Sequence, residues 1–391
     1  MTILVTGGGS GGHITPILAV AHELKQLRPD LRIVYVGQRG DALSDVPARH
    51  PAIDEVRSVS AGKFRRYHSE GWRQVLDVKT MLLNIRDAFR VLAGIYQSWR
   101  LLKKLRPEIV FIKGGFVGVP VGLAAAWLHI PFVTHDSDAI PGLANRIIGR
   151  WASKHAVALP AEVYPYDPTR TVTVGVPVVH EFELVTPELK RRYRAELQLP
   201  EAAQLLFVIG GGLGAQRINE AVMQFLPQLL TDFPDLFVVH GVGRSNEAAT
   251  QQRYAQSLST DQLSRVRAVG FLHDVFRYSG AADVVITRAG ATNLAEFALQ
   301  GKACIVVPNP YLTAGHQLKN AAYLAEQQAT EQLAETELAE HPEALDFLIR
   351  KLLDDPDRRT KLGERFTAFG HPQAARHLAQ LLLSELQQDP A

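Results

Sequence analysis

The sequence predicts an α/β protein with two parallel sheets, and two observations support this prediction. Short apolar, β-branched runs recur along the chain, each followed by a turn and a helical pattern: TILVT, RIVYVG, EIVFIK, FVTH, LLFVIG, FVVHG, VVITR and CIVVP. Such runs suit strands buried on both faces, and strands that alternate with helices form parallel sheets. In addition, ILVTGGGSGGHITP near residue 3 resembles LFVIGGGLGAQRIN near residue 206. Two such strand–glycine turn–helix openings indicate two Rossmann-like domains rather than one long sheet.

The 391 residues are therefore predicted to divide into 1–168, 169–365 and 366–391. A Pro-rich, turn-like stretch at 164–169 separates the first two domains, and 172–176 reads as a linker or as the first strand of the second domain. The last segment contains the amphipathic run PQAARHLAQLLLSEL after a FGHP break, and it is predicted to close one of the two domains.

Charge is distributed unevenly along the chain. The net charge is +2, but residues 57–106 hold twelve Lys/Arg and three Asp/Glu, so one N-terminal segment carries concentrated positive charge. The modest net charge does not indicate a nucleic-acid partner. Cys304 is the single cysteine, which excludes a disulfide within the chain and a cysteine-based metal site, and it is predicted to be a buried thiol.

Two apolar stretches raise the question of membrane contact. Residues 114–135 carry no charge, yet their prolines and glycines favour a buried helix bracketed by loops over a membrane span, and no secretory signal is visible. The run VKTMLLNIRDAFRVLAGIYQSWRLLKKLRP mixes an apolar stripe with basic residues. It predicts either an interfacial helix on an anionic membrane or a core helix with a solvated basic face; its stripe is Met81, Leu82, Ile85, Phe89 and Leu92.

The first glycine turn, from Gly7 to His13, follows a strand and leads into a helix. Glycines allow close backbone approach, and a helix N-terminus favours an anion. A dinucleotide site would need an acidic residue after the second strand, but Gly37 and Gln38 stand there, which disfavours NAD. His13 is either a solvated loop residue or a general base at the carboxyl edge of the sheet.

Further glycine turns follow two other predicted strands, at 114–120 and 210–219. Three such turns at three strand ends predict a nucleotide or diphosphate ligand. Glu296, on the helix after Arg288 and Gly290, can accept two hydrogen bonds from ribose hydroxyls or can be a solvated helix residue. The loop residues His316, Gln317 and Asn320 suit sugar hydroxyls or simple helix capping.

Read together, these stretches resemble the MurG family of glycosyltransferase family 28, over roughly residues 2–330. The ordered set includes GGGSGGHITP, GGFVGVPVGLAAAWLHIPFVTHDSDAIPGLANR, GGGLGAQRIN, GFLHDV, TRAGATNLAEFALQGKACIVVPNP and HQLKNA. The resemblance implies a GT-B fold, with two Rossmann-like domains facing across a cleft and the C-terminal helix packing back on the N-terminal domain. It implies inverting transfer of N-acetylglucosamine from UDP-N-acetylglucosamine (UDP-GlcNAc) to the C4 hydroxyl of undecaprenyl-diphospho-muramoyl-pentapeptide.

The resemblance also assigns roles to residues. His13 is the implied catalytic base; Gly114, Gly115, Asp138 and Asn145 are implied on the acceptor side. The remaining implied residues bind the donor or a diphosphate: Ser10, Gly11, Gly12, Val179, Gly212, Leu272, Arg288, Ala291, Thr292, Asn293, Leu294, Ala295, Glu296, Gln317 and Asn320.

Departures from the family pattern leave alternatives open. Val179 stands where the family has an arginine, Gly212 and Leu213 replace a serine–glutamine pair, and His135-Asp136-Ser137-Asp138 replaces HEQN. The alternatives are a glycosyltransferase acting on another lipid, such as diacylglycerol, and a catalytically silent UDP-sugar-binding partner protein. No metal is required in this interpretation, although Mg²⁺ can accompany the diphosphate. The expected location is peripheral, on the cytoplasmic face of the bacterial membrane.

Overall fold

The computed structural model describes residues 1–9, 11–41, 43–62, 78–211, 214–311 and 315–387, with no description of the side chains of 78–82 and 387. Ser10, Gly212 and Leu213 lie outside the described residues. The chain forms two compact units. Unit 1 comprises Met1–His180, Tyr311–His316 and His371–Ala391, and unit 2 comprises Glu181–Pro310 and Gln317–Gly370. The first unit thus extends to His180, beyond the predicted boundary after residue 168.

Unit 1 contains a seven-stranded, all-parallel sheet of order β3-β2-β1-β4-β5-β6-β7. Because the order reverses between β1 and β4, the turns after these two strands flank the topological switch point, where ligands bind in open α/β sheets. The strands are β1 (Thr2–Thr6), β2 (Arg32–Gln38), β3 (Glu55–Val59), β4 (Ile109–Ile112), β5 (Phe132–Asp136), β6 (Lys154–Val157) and β7 (Thr171–Thr173).

Helices cover both faces of this sheet, as continuous apolar strands require. The helices before residue 180 are α1 (Gly11–Leu27), α2 (Asp45–Ala48), α3 (Val78–Leu105), α4 (Gly118–Trp127) and α5 (Leu143–Ile148). One core joins Ile3 and Phe111 to α1, and the other joins Leu4 and Val110 to α4. The uncharged stretch of 114–135 is thus a short helix and a buried strand. No helix among the described residues is long and apolar enough to span a membrane.

Unit 2 repeats the architecture with a six-stranded parallel sheet of order β10-β9-β8-β11-β12-β13. Its switch point lies between β8 and β11. The strands are β8 (Gln204–Ile209), β9 (Leu236–Gly241), β10 (Val266–Val269), β11 (Val284–Thr287), β12 (Cys304–Val306) and β13 (Glu331–Gln332). Cys304 is a free, buried thiol, as predicted.

Ten helices described between 181 and 370 surround this second sheet, and the last helix returns to unit 1. They are α6 (Pro187–Glu196), α7 (Gln216–Asp232), α8 (Glu247–Ser257), α9 (Thr260–Ser264), α10 (Val275–Ala281), α11 (Ala291–Leu299), α12 (His316–Glu326), α13 (Glu335–Glu340), α14 (Glu343–Asp354) and α15 (Pro356–Thr367). Helix α16 (Ala374–Gln387) inserts Leu378, Ala379 and Leu382 into the core of unit 1 beside α1.

All eight runs that the sequence marks as strands are strands in the structure. The second sheet, however, does not begin at 172–176, because Thr171–Thr173 pairs with β6 as the last strand of the first sheet. The strands not anticipated are β3, β6, β10 and β13, which lie toward the sheet edges, as β7 does. There the apolar pattern is weaker because one neighbour or one covering helix is missing.

Candidate active site

Side chains from β2 and from the residues that follow it hold the first glycine turn in place. The Tyr35 hydroxyl donates to the Gly7 carbonyl at 2.6 Å, and the Gly9 N–H donates to Oδ2 of Asp41 at 2.9 Å. Helix α1 then begins at Gly11 and includes Gly12 and His13 in its first turn. The N–H groups of its first turn and its partial positive charge therefore lie at the switch point of the first sheet.

His13 lies against the second glycine turn. Gly114 and Gly115 have φ angles of 108° and 77°, in the left-handed region that favours glycine. A Cβ atom on Gly115 would stand 3.5 Å from Cδ2 of His13 and 2.9 Å from the Gly8 carbonyl oxygen. One on Gly114 would stand 3.8 Å from Cε1 of His13. The absence of side chains thus lets the two turns approach and places the imidazole where they meet.

The surroundings of His13 favour its neutral form. The ring is partly exposed, but its Nδ1 atom is buried and has no hydrogen-bond partner among the described residues. Burial and the neighbouring Lys113 lower the pKa of His13 to about 4, while Asp138 opposes this change. The imidazole is therefore unprotonated at neutral pH, which a general base requires.

Lys113 is a residue of this site that the sequence interpretation missed. It directly follows β4, its N–H donates to the Thr6 carbonyl at 3.0 Å, and its side chain is only 3% exposed. Burial lowers its pKa, while Asp138 and Asp136 oppose this change. The sequence signal for this residue is a lysine that directly follows an apolar strand and directly precedes two glycines. A fully buried lysine is rare in proteins, so it indicates a specific role.

A buried carboxylate supports the acceptor-side loop. Asp136 ends β5, and its Oδ1 accepts from the Gly142 N–H at 3.1 Å and from Nδ2 of Asn145 at 3.0 Å. Its Oδ2 accepts from the Tyr166 hydroxyl at 2.8 Å. Oδ1 of Asn145 is buried with no hydrogen-bond partner among the described residues, and its side chain lies beside Gly114. Asp138 follows in the same loop. Asp136, which stands at the position of the glutamate in HEQN, therefore holds this loop in place.

In unit 2, several predicted donor residues gather at the turn between β11 and α11. Helix α11 begins at Ala291, directly after Gly290. Nδ2 of Asn320 donates to the Ala289 carbonyl at 3.1 Å, and a Cβ atom on Gly290 would stand 4.0 Å from Nε2 of Gln317. Oε1 of Gln317 accepts from the Asn309 N–H at 2.9 Å, which leaves its amide nitrogen facing the turn.

The first turns of α11 carry the remaining predicted residues of this group. Thr292, Leu294, Ala295 and Glu296 are buried, and Asn293 donates to Oγ1 of Thr287 at 3.4 Å. Glu296 pairs with no cation among the described residues, and burial raises its pKa to about 8. A buried carboxyl group without a hydrogen-bond partner is costly unless a ligand supplies the missing hydrogen bonds.

Leu272 lies at the carboxyl edge of the second sheet. It follows β10, and its Cδ1 atom would stand 3.4 Å from a Cβ atom on Gly241, the last residue of β9. The Arg244 guanidinium lies 4.5 Å from the centre of the Phe271 ring beside it. The loop backbone at Leu272 is thus placed by packing on both sides.

Arg288, which the resemblance implies at the donor or diphosphate site, is bonded within unit 2. Its Nη2 donates to Oε1 of Glu335 at 2.5 Å, and its Nη1 donates to the Val307 carbonyl at 3.1 Å. The pair is buried, so these donors are already used within the fold. Val179, at the position of the family arginine, is partly buried in the segment that ends unit 1. No cluster of three metal-ligating side chains occurs in the described ranges.

Two Rossmann-like parallel sheets, each with glycine turns at its switch point, define a glycosyltransferase of the GT-B class. The model for the glycosyltransferase family 28 N-terminal domain matches residues 3–157, and the model for the C-terminal domain of that family matches residues 205–378. The crystal structure of Acinetobacter baumannii MurG shares the fold with a TM-score of 0.68 and 24% identity, covering 98% of this chain and 99% of that one.

Two curated relatives extend this similarity over the whole length. Both are named UDP-N-acetylglucosamine--N-acetylmuramyl-(pentapeptide) pyrophosphoryl-undecaprenol N-acetylglucosamine transferase. The protein from Natranaerobius thermophilus is 32% identical over 390 residues, which is 98% of this chain and 100% of the relative. The protein from Salinibacter ruber is 32% identical over 385 residues, which is 98% of this chain and 96% of the relative. The chain belongs to glycosyltransferase family 28 and, within it, to the MurG-type N-acetylglucosamine transferases.

Proposed function

We propose that this protein transfers N-acetylglucosamine from UDP-GlcNAc to the C4 hydroxyl of the muramoyl sugar in undecaprenyl-diphospho-muramoyl-pentapeptide. The observation that carries the proposal is the position of His13, a neutral imidazole held where two glycine turns meet at a sheet switch point. Full-length relatives named for this reaction supply the identity of the substrates.

In this proposal, unit 1 supplies the base. His13 accepts the proton of the acceptor hydroxyl, whose oxygen attacks the anomeric carbon while the bond to the UDP oxygen breaks, so the configuration inverts. The glycine-turn amides and the N-terminus of α1 stabilise a diphosphate by their fixed partial charges. Gly11, Gly12, Gly114 and Gly115 form this surface, and it is lined by Asp138, in the loop after β5, and by Asn145, in α5.

Unit 2 supplies the donor site in the same proposal. The α11 N-terminus at Ala291 faces the UDP diphosphate, Glu296 accepts from the ribose hydroxyls, and Gln317 and Asn320 bind the sugar. The assignment of Gln317 and Asn320 is supported by the position of their side-chain amides, both of which lie next to the Ala289–Gly290 turn. The backbone of Leu272 binds the uracil ring.

The lipid-linked acceptor requires the protein to reach a membrane, and α3 offers a surface for this. Its outward residues are apolar: Phe89 is 68% exposed and Leu92 62% exposed, with Ile85 and Tyr96 on the same face. Between residues 85 and 98 its inward residues are small or polar, since Asp87, Gly94 and Ser98 are buried, whereas Leu102 near its C-terminus packs in the core with α4. The exposed apolar stripe over residues 85–96 favours the interfacial interpretation of this part of the helix.

Aromatic and basic side chains extend this surface, which we call the α3 face. Trp127 is exposed, and its ring centre lies 6.4 Å from that of Trp99, over which Lys103 lies at 4.3 Å. Exposed basic residues flank the stripe: Arg86, Arg90, Arg100, Lys103 and Lys104. Aromatic rings and cations together suit the headgroup region of an anionic bilayer. Met81 and Leu82 lie outside the described side chains. The proposed location is the cytoplasmic membrane face.

An acceptor comparison tests the proposal. Purified protein is given labelled UDP-GlcNAc with either undecaprenyl-diphospho-muramoyl-pentapeptide or diacylglycerol, in Mg²⁺ and in EDTA. We expect transfer to the undecaprenyl acceptor in both buffers, because in this proposal helix N-termini and glycine-turn amides stabilise the leaving diphosphate. Transfer to diacylglycerol alone would identify the related lipid glycosyltransferase. UDP-sugar binding without transfer to either acceptor would identify a catalytically silent partner protein.

A further inference from the structure

A cavity of about 560 Å³ lies in unit 2, beside the edge strand of the second sheet. Thr330 lines this cavity and directly precedes β13, so the cavity lies at the amino end of that strand. The α11 N-terminus follows β11 and therefore lies at the carboxyl edge of the same parallel sheet. Because these are opposite edges, the cavity is separate from the proposed donor site. A volume of this size can hold a small organic ligand.

One face of α15 gives this cavity a positive charge. Arg358, Lys361 and Arg365 line it, and their spacing of i, i+3 and i+7 places them on one side of the helix. The acidic lining residue that the structure describes is Glu331. Its Oε1 accepts from Nε of Arg358 at 2.7 Å and lies 3.8 Å from Nζ of Lys351. Lys361 and Arg365 therefore have no carboxylate partner among the described lining residues.

Arg365 and Thr330 also bring unused hydrogen-bond donors to the cavity. Nη1 of Arg365 donates to Oε1 of Gln328 at 2.8 Å, and its other guanidinium nitrogens have no acceptor in the described part of the chain. Thr330 is 7% exposed, and its buried Oγ1 has no hydrogen-bond partner among the residues that the structure describes. A buried hydroxyl without a partner costs free energy, and a ligand in the cavity would supply one after rotation about the Cα–Cβ bond.

We propose that this cavity is a second anion site, which binds a small ligand that carries two or three linked phosphates. Guanidinium groups bind phosphate oxygens through paired N–H groups, and a lysine adds a point charge. The helix rises roughly 10 Å between Arg358 and Arg365, so the three cations suit a chain of phosphates better than one phosphate. Leu362 adds an apolar wall beside them.

The test is a calorimetric titration with inorganic tripolyphosphate and with ATP, in EDTA and with UDP present to fill the donor site. The first variant combines Lys361→Gln with Arg365→Gln. The control is Arg253→Gln, which removes an exposed cation from α8 in the same unit. We expect the double variant to bind both probes at least about tenfold more weakly, because it loses charged hydrogen bonds, and the control to bind them as the wild-type protein does.

Thr330→Val, which keeps the shape of the side chain without its hydroxyl, is the second variant. It should weaken binding of both probes and raise the urea midpoint of the free protein, because an unsatisfied hydroxyl is removed. A merely structural threonine would not combine these two effects.

Equal affinity for the two probes would identify the phosphate chain as the group that is bound, and tighter binding of ATP would identify a nucleotide. The proposal is overturned if the wild-type protein binds neither probe at millimolar concentration, or if the folded double variant binds both as tightly as wild type. These residues lie outside the proposed transferase site, so a negative result here is separate from the outcome of the acceptor assay.

Discussion

Asn145 donates from Nδ2 to Oδ1 of Asp136 at 3.0 Å, and the same amide group donates to the His135 carbonyl at 3.0 Å. These bonds use both amide hydrogens and leave Oδ1 of Asn145 buried, without a described partner, beside Gly114. The pair therefore fixes the end of β5 and the start of α5 against the second glycine turn. The acceptor-side loop is shaped by this network, although its sequence differs from the family pattern.

This network predicts a stability effect for Asp136→Asn. The NH2 of the new amide faces either the Gly142 N–H and the Asn145 amide, which are donors, or the Tyr166 hydroxyl, which must then turn its own hydrogen away. We expect the free energy of unfolding to fall by about 1–3 kcal/mol, the cost of leaving buried polar groups unsatisfied. Urea denaturation measures it. Asp30→Asn, at an exposed ion pair with Arg28, is the matched control and should leave the midpoint unchanged. Equal midpoints for the two variants would show that the network contributes nothing.

Glu296 predicts a pH-dependent affinity for UDP. Because burial raises its pKa to about 8, the free protein holds this group mostly protonated at neutral pH. A carboxylate that accepts from ribose hydroxyls must first lose that proton. UDP affinity should therefore rise with pH, by up to about tenfold per unit, until it levels above the pKa of Glu296. Isothermal titration calorimetry on both sides of this pKa measures it.

The matched control for this prediction is Glu296→Gln, which has nearly the same shape and no titratable proton. It should bind UDP more weakly by about 1.5–3 kcal/mol at high pH, the range for a hydrogen bond to a charged group. Its affinity should show only the pH dependence of UDP itself. A wild-type profile parallel to that of the glutamine variant would rule out Glu296 as the ribose ligand.

The α3 face predicts membrane binding that depends on apolar contact and on charge. Phe89→Ser with Leu92→Ser should weaken co-sedimentation with phosphatidylglycerol vesicles by about 100-fold or more, since each buried side chain contributes roughly 1.5–3 kcal/mol. Changing Arg86, Arg90 and Lys103 to Gln should have a similar effect at low salt, at roughly 1 kcal/mol for each cation. Phe347→Ser, in unit 2 and 64% exposed, is the control for general loss of apolar surface. If both variants bound the vesicles as tightly as the wild-type protein does, the α3 face would not be the membrane-binding surface.

The sequence predicted the parts of the fold that burial determines. Central strands such as β1, β4 and β8 are apolar on both faces and therefore stand out, whereas β7 and β13 are short edge strands with little pattern of their own. The glycine turns were recognisable because backbone approach requires glycine at fixed positions.

The contacts within the site were not predictable to the same degree. Lys113 was passed over because a strand-ending lysine is usually exposed, and only the packing below Gly7 shows that it is buried. The hydrogen bond from Arg288 to Glu335, 47 residues further along the chain, was not anticipated either. Such pairings depend on which side chains the folded sheet brings together, and spacing in sequence does not encode them.

The central claim is that His13 is the base for transfer to the lipid-linked acceptor, and paired measurements on His13→Ala test it most directly. The variant's kcat/KM for undecaprenyl-diphospho-muramoyl-pentapeptide is compared with its affinity for UDP. General base catalysis contributes about 10²–10⁴-fold, so kcat/KM should fall by that factor while UDP binding in unit 2 stays unchanged. Near-normal turnover in a folded His13→Ala protein would contradict the account.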